Sequence, residues 1–110
     1  GLTSGNEEFQ QLLTGSYVGL FRQLKGDYRK ALLARDPEGL KFIANYIAPP
    51  FSFLEVTGMK DEMARGAALV QNPNTPEKQL LQSAACIDAG CDALIAELEE
   101  KLQQASGVAG

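Results

Sequence analysis

The chain has 110 residues, 45% hydrophobic and 22% charged, with ten Lys+Arg against fourteen Asp+Glu and a formal net charge of −4. This length bounds one small domain, residues 1–110, able to bury a single core without staples, with order expected from about residue 6 to about residue 105. The acidic balance argues against nucleic acid and anionic membrane as main partners, because both need a basic footprint.

Every periodic stretch reads as helix. Ser4 and Glu7 have capping-box spacing. Apolar residues then recur at Phe9, Leu12, Leu13, Tyr17, Leu20, Phe21, Leu24, Tyr28, Ala31 and Leu32, in steps of three and four that define one stripe. Gly15, Gly19 and Gly26 weaken this first helix, and a break is expected at Gly15. Asp36-Pro37 restarts the pattern, with Asp as cap and Pro at the first helical position. Leu40, Ile43, Ala44 and Ile47 give the second helix its buried face. Pro49-Pro50 should end or kink it near Ala48, since an interior proline costs roughly 3 kcal/mol.

Thr57-Gly58 precedes a shorter third helix with Met59, Met63, Ala67 and Val70 on its inner face. Asn72-Pro73-Asn74-Thr75-Pro76 is a turn, with Thr75 capping the last helix. That helix carries the most regular repeat: Leu80, Ala84, Ile87, Cys91, Leu94 and Leu98, widened by Leu81, Ile95 and Leu102. The tail from Ser106 should fray. Four amphipathic helices joined by short connections predict an all-α, antiparallel four-helix bundle.

The two cysteines, Cys86 and Cys91, lie about 140° apart around a helix, which makes a disulfide between them implausible. Their spacing is no zinc pattern, and the chain has no histidine to complete one, so no metal or other cofactor is expected. Two free thiols suit a reducing, cytoplasmic setting. No stretch approaches the roughly 20 apolar residues of a membrane span, and no signal peptide is visible.

The segment from Asp36 to Pro49 carries the informative motif. Asp36, Glu38, Leu40 and Ala44 fall in register with the run D-x-E-x-L-x-x-x-A-H-x-x-K-G. The segment resembles the active helix of histidine-containing phosphotransfer (HPt) domains, and the helix order resembles that family over most of the chain, from about Phe9 to Leu102. In the family the His carries a phosphoryl group and the Lys three residues later helps hold its charge. Here those positions are Asn45 and Ala48, and the small residue that follows is Pro49. A carboxamide nitrogen has its lone pair delocalised into the carbonyl, so Asn45 cannot accept a phosphoryl group as an imidazole does.

The resemblance implies an HPt-like bundle that signals by contact without transfer: no enzyme, but a module that docks a response-regulator receiver domain. The implied face is Arg35, Glu38, Lys41, Phe42, Asn45, Tyr46, Ala48 and Pro49. The plainer alternative makes Asn45 an exposed helix residue without a role. The chain is then a structural or oligomerising bundle, with a second apolar stripe exposed on the last helix. A monomer or weak homo-oligomer is expected. Glu97, Glu99 and Glu100 read as a solvated face rather than an acid–base pair.

Overall fold

The computed structural model describes the backbone from Leu2 to Ala109 and the side chains from Gln10 to Gln104. Four α-helices follow in order, α1 (Leu2–Leu33), α2 (Pro37–Phe53), α3 (Gly58–Gln71) and α4 (Glu77–Ala109), with no strand among the described residues. The short connections leave each helix antiparallel to the one before it, as expected for a bundle. The helices are unequal, at 32, 17, 14 and 33 residues. At 1.5 Å per residue α1 and α4 are each about 50 Å long, and α2 and α3 roughly half that. The molecule measures 58 × 20 × 19 Å. Tyr17 meets Phe53 edge to face, with ring centroids 5.7 Å apart, so α2 ends level with the middle of α1. Beyond that level the α1–α4 pair extends alone.

The α1–α4 pair is the spine. Its seam buries Phe21, Leu24, Tyr28 and Leu32 against Leu80, Ala84, Ile87, Cys91 and Leu98. Along the solvent side of the pair, Arg22 bonds Glu99, Lys25 bonds Asp92 and Arg29 bonds Asp88, at 2.5–2.7 Å. Residue numbers rise on α1 as they fall on α4, so the ladder fits one antiparallel register. A slipped register would separate these charges.

One polar cluster crosses the core. The Tyr28 hydroxyl lies 2.8 Å from Ser83 Oγ, and Ser83 donates to the Glu62 carboxylate at 2.7 Å. With its proton on that carboxylate, Ser83 receives the Tyr28 O–H. Arg65 pairs with the same Glu62 oxygen at 2.9 Å. Tyr28 and Ser83 are fully buried, and this chain of bonds satisfies both hydroxyls. It ties α1, α3 and α4 together. Gly66 makes room for it: a Cβ there would stand 2.0 Å from Tyr28 Oη.

Both α1 and α2 close with the same terminal motif. Asp36 N–H bonds Ala31 C=O and Arg35 N–H bonds Leu32 C=O; Val56 N–H bonds Phe51 C=O and Glu55 N–H bonds Ser52 C=O. This is the Schellman arrangement, which puts one residue in the left-handed region. Arg35 (φ 53°) and Glu55 (φ 56°) occupy it, where glycine is usual.

Several expectations need correction. α1 runs unbroken through Gly15, because a helix stabilised by a long buried stripe outlasts a penalty of about 1 kcal/mol. α2 continues through Pro49 and Pro50 to Phe53. Pro50 and Phe51 are fully buried, with Phe51 stacked on Phe21 at 5.9 Å, so tertiary burial offsets the lost backbone bonds. Leu12 is 73% exposed, off the buried stripe, and Ala44 is also exposed. Leu94 is only half-buried. Asp36 occupies the N-cap position of α2, but its side chain makes no capping bond. The Thr75 hydroxyl donates back to Leu69 C=O instead of capping α4. α1 begins at Leu2, so Ser4 lies inside the helix rather than at its cap, and α4 continues past Ser106 to Ala109 instead of fraying there.

Two substitutions test this account. Gly66→Ala forces Tyr28 out of place and should cost about 2–3 kcal/mol, as overpacking does, read from urea unfolding. Glu55→Gly relieves the left-handed backbone at an exposed turn and should raise stability by about 0.5–1 kcal/mol. An unchanged midpoint in the first variant, or a lowered one in the second, contradicts the geometry.

Candidate functional site: the solvent face of α2

At 100° per residue, positions 38, 42, 45 and 49 of α2 fall on one side of the helix. Leu40, Ile43, Ile47 and Phe51 are buried on the other. Glu38, Lys41, Phe42, Asn45, Ala48 and Pro49 are all exposed. Asn45 stands at the midpoint of α2, and its side chain makes no hydrogen bond among the described residues. Phe42 is 65% exposed. Its ring meets Tyr46 edge to face, centroids 5.8 Å apart and planes at 74°. Lys41 and Glu38 form a loose i,i+3 pair at 3.6 Å, which keeps the face close to neutral.

Tyr46 sits at the edge of this face, half-buried against α1. Its hydroxyl donates to Asp27 Oδ2 at 3.0 Å, and Gln23 donates to the same oxygen at 3.1 Å. Burial, and then the bonded Asp27 carboxylate, push the Tyr46 phenol well above its ordinary pKa. The ring is thereby fixed and neutral, and it props Phe42 outward. Asp27 and Gln23 are neighbours of this face that the sequence did not mark, because a lone acid on a polar helix face carries no signal until its partner is known.

Prolines alter the backbone here. Pro49 and Pro50 have no N–H, so the carbonyls of Asn45 and Tyr46, one turn earlier, lack their α-helical donors. The centre of the face therefore offers the Asn45 carboxamide beside a backbone carbonyl that lacks its α-helical donor.

Arg35 does not join this face. Its guanidinium donates to Thr75 C=O at 2.6 Å, bridging the α1–α2 turn to the α3–α4 turn. The left-handed backbone at Arg35 turns the side chain along that path, and such a conformation is not readable from an arginine codon by codon. Seven of the eight expected residues thus lie together on or beside one helix face, and Arg35 lies elsewhere.

Neither cysteine thiol is activated as a nucleophile. Burial, followed by the Asp88 charge, pushes the Cys91 thiol up to about 12. Burial and the Glu62 carboxylate also raise Cys86. For Glu62 itself burial acts upward, but the Ser83 hydroxyl and Arg65 guanidinium outweigh it and its pKa is lowered. Both cysteines are free, Cys86 exposed and Cys91 buried. Among the described residues no three His, Cys, Asp or Glu side chains form a metal-binding group, and no helix is long and apolar enough to cross a membrane. No protein-family model, curated protein or solved structure matches the chain.

The raised groups fix the sign of an alkaline effect. Folding favours the neutral forms of Tyr28, Tyr46 and Cys91. Their contribution is complete below the unfolded values, about 8.5 for Cys and 10 for Tyr, and is lost as pH rises through the folded ones. The urea midpoint should therefore fall progressively from about pH 9 upward. Tyr46→Phe should flatten part of that fall, while a midpoint level from pH 8 to 11 would refute the assignment.

Proposed function

We propose that this chain is a docking module of the HPt kind, one that retains the contact face and lacks the phosphoryl chemistry. The observation that carries the reading is Asn45, solvent-exposed at the midpoint of α2, where the resemblance places the phospho-accepting histidine. The exposed Phe42 beside it supplies an aromatic anchor, held outward by Tyr46 and Asp27. Ala48 stands where the charge-holding lysine would be, so neither the nucleophile nor its cation is present. The partner is a response-regulator receiver domain, engaged through Glu38, Lys41, Phe42, Asn45, Ala48 and Pro49, and regulated by occupancy.

An oligomerising bundle calls for a broad apolar stripe on the outer side of α4. On the described part of α4, the exposed large hydrophobic residue is Leu81, at 39%. The docking reading is therefore preferred.

Calorimetry against a panel of receiver domains tests it. One or more should bind, and Phe42→Ala should weaken that binding by about 2 kcal/mol or more if the ring is a central anchor. Incubation with a phosphorylated receiver should leave the chain unlabelled, and Asn45→His alone should restore little transfer because Ala48 offers no cation. Failure to bind any receiver, or acid-labile phosphate on the unmodified chain, removes the proposal.

A further inference from the structure

A concave surface lies about a quarter-turn around α2 from the docking face, between α2 and α3. It is a groove of about 260 Å³. Its floor is Leu40, Ile47, Phe51 and Met63, with the Tyr28 ring beneath, and its walls are Ala44 and Ala48 facing Ala64 and Ala67. The alanines explain the opening. Four short side chains stand where larger residues would close two neighbouring helices, and the side-chain hydrogen bonds of α3 to other helices run to α1 and α4, with none to α2 among the described residues. The polar groups at its margin are Lys41, Lys60 and Gln71. Lys41 is engaged with Glu38, whereas Lys60 has no ion-pair partner among the described residues.

The run from Lys60 to Gln71 covers 12 residues of antiparallel helix, about 16 Å end to end at 1.5 Å per residue. A trough that long, walled by alanines, accommodates an extended alkyl chain laid along its floor. An apolar lining with a few placed polar groups is the usual character of a small-ligand site. In a chain of net charge −4, both ionic groups on this lining are cationic.

We propose that the α2–α3 groove binds a free, medium-length alkyl carboxylate. Its carboxylate pairs with Lys60 at the α3 N-terminal end, and its chain runs along Met63, Ala64 and Ala67 toward Leu40 and Gln71. This site does not depend on the docking reading, since Lys60, Ala64 and Ala67 belong to α3.

Titration of the intact chain with decanoate below its micellar concentration, followed by backbone amide shifts, tests the site. Saturable one-site binding is expected, with the largest shifts at residues 60–71. Affinity should rise roughly fourfold per added methylene from hexanoate to decanoate. Decyltrimethylammonium, of the same chain length, should not compete. Lys60→Glu should weaken decanoate by about fivefold, and Ala64→Leu, which occupies the trough, by about tenfold. Circular dichroism verifies the fold of both variants, and Lys60→Glu alters only an exposed side chain. Absence of saturable binding, equal binding of the cationic detergent, or shifts centred away from α3 would overturn the proposal. So would a glutamate-flanked leucine-stripe helical peptide that occupies the groove when decanoate does not.

Discussion

The architecture rests on how closely α3 approaches α1 at Gly66. The Tyr28 ring is large and wholly buried, and its hydroxyl must find partners away from water. It finds Ser83 on α4, which in turn donates to Glu62 on α3. Only a residue without Cβ leaves room for that hydroxyl, so one missing methyl sets the position of a whole helix. Burying polar groups is costly unless the set is complete, and here each hydroxyl is bonded and the carboxylate is answered by Arg65. The α1–α4 spine supplies the bulk of the apolar burial, and this cluster fixes where the third helix sits upon it.

That placement has a consequence for α2. Its hold on the bundle comes from Ile43, Ile47, Pro50 and Phe51 turned toward the core, with Phe51 stacked on Phe21. Because α3 is fastened to α1 and α4, the α2–α3 side stays open along the alanines. α2 therefore presents two different surfaces to solvent. One is convex and carries Phe42 and Asn45; the other is the wall of an apolar trough. Lys41 and Ala48 stand on the edge between them. The two proposed roles, contact with a receiver and capture of an alkyl carboxylate, thus share a helix and meet at Lys41 and Ala48, while the rest of each set of side chains is separate.

The helix count, order and most of the core were legible from spacing alone, because a 3.6-residue repeat of apolar side chains leaves few alternatives to an amphipathic helix. Leu80, Ala84, Ile87, Cys91 and Leu98 on α4 are buried as their spacing implies. The exposed positions 38, 42, 45 and 49 follow from the same arithmetic once Leu40, Ile43 and Ile47 face inward. Local rules misjudged Gly15 and Pro49-Pro50, since each residue carries a penalty smaller than the burial its neighbours gain. Leu12 went wrong in the opposite direction: at 100° per residue it falls on the far side of α1 from Phe21, Leu24 and Tyr28, so it faces solvent.

By itself, then, the sequence determined that four helices form, which of their faces turn inward, and that no imidazole is present to carry a phosphoryl group. Those are properties of composition and of near-neighbour periodicity. Tertiary structure alone decided that Arg35 leaves the α2 face for Thr75, that Asp27 holds Tyr46, that Gly66 admits Tyr28, and that four alanines line an open trough. Each depends on residues 16 to 40 positions apart being brought together, and the pattern along one helix contains no information about what stands opposite it.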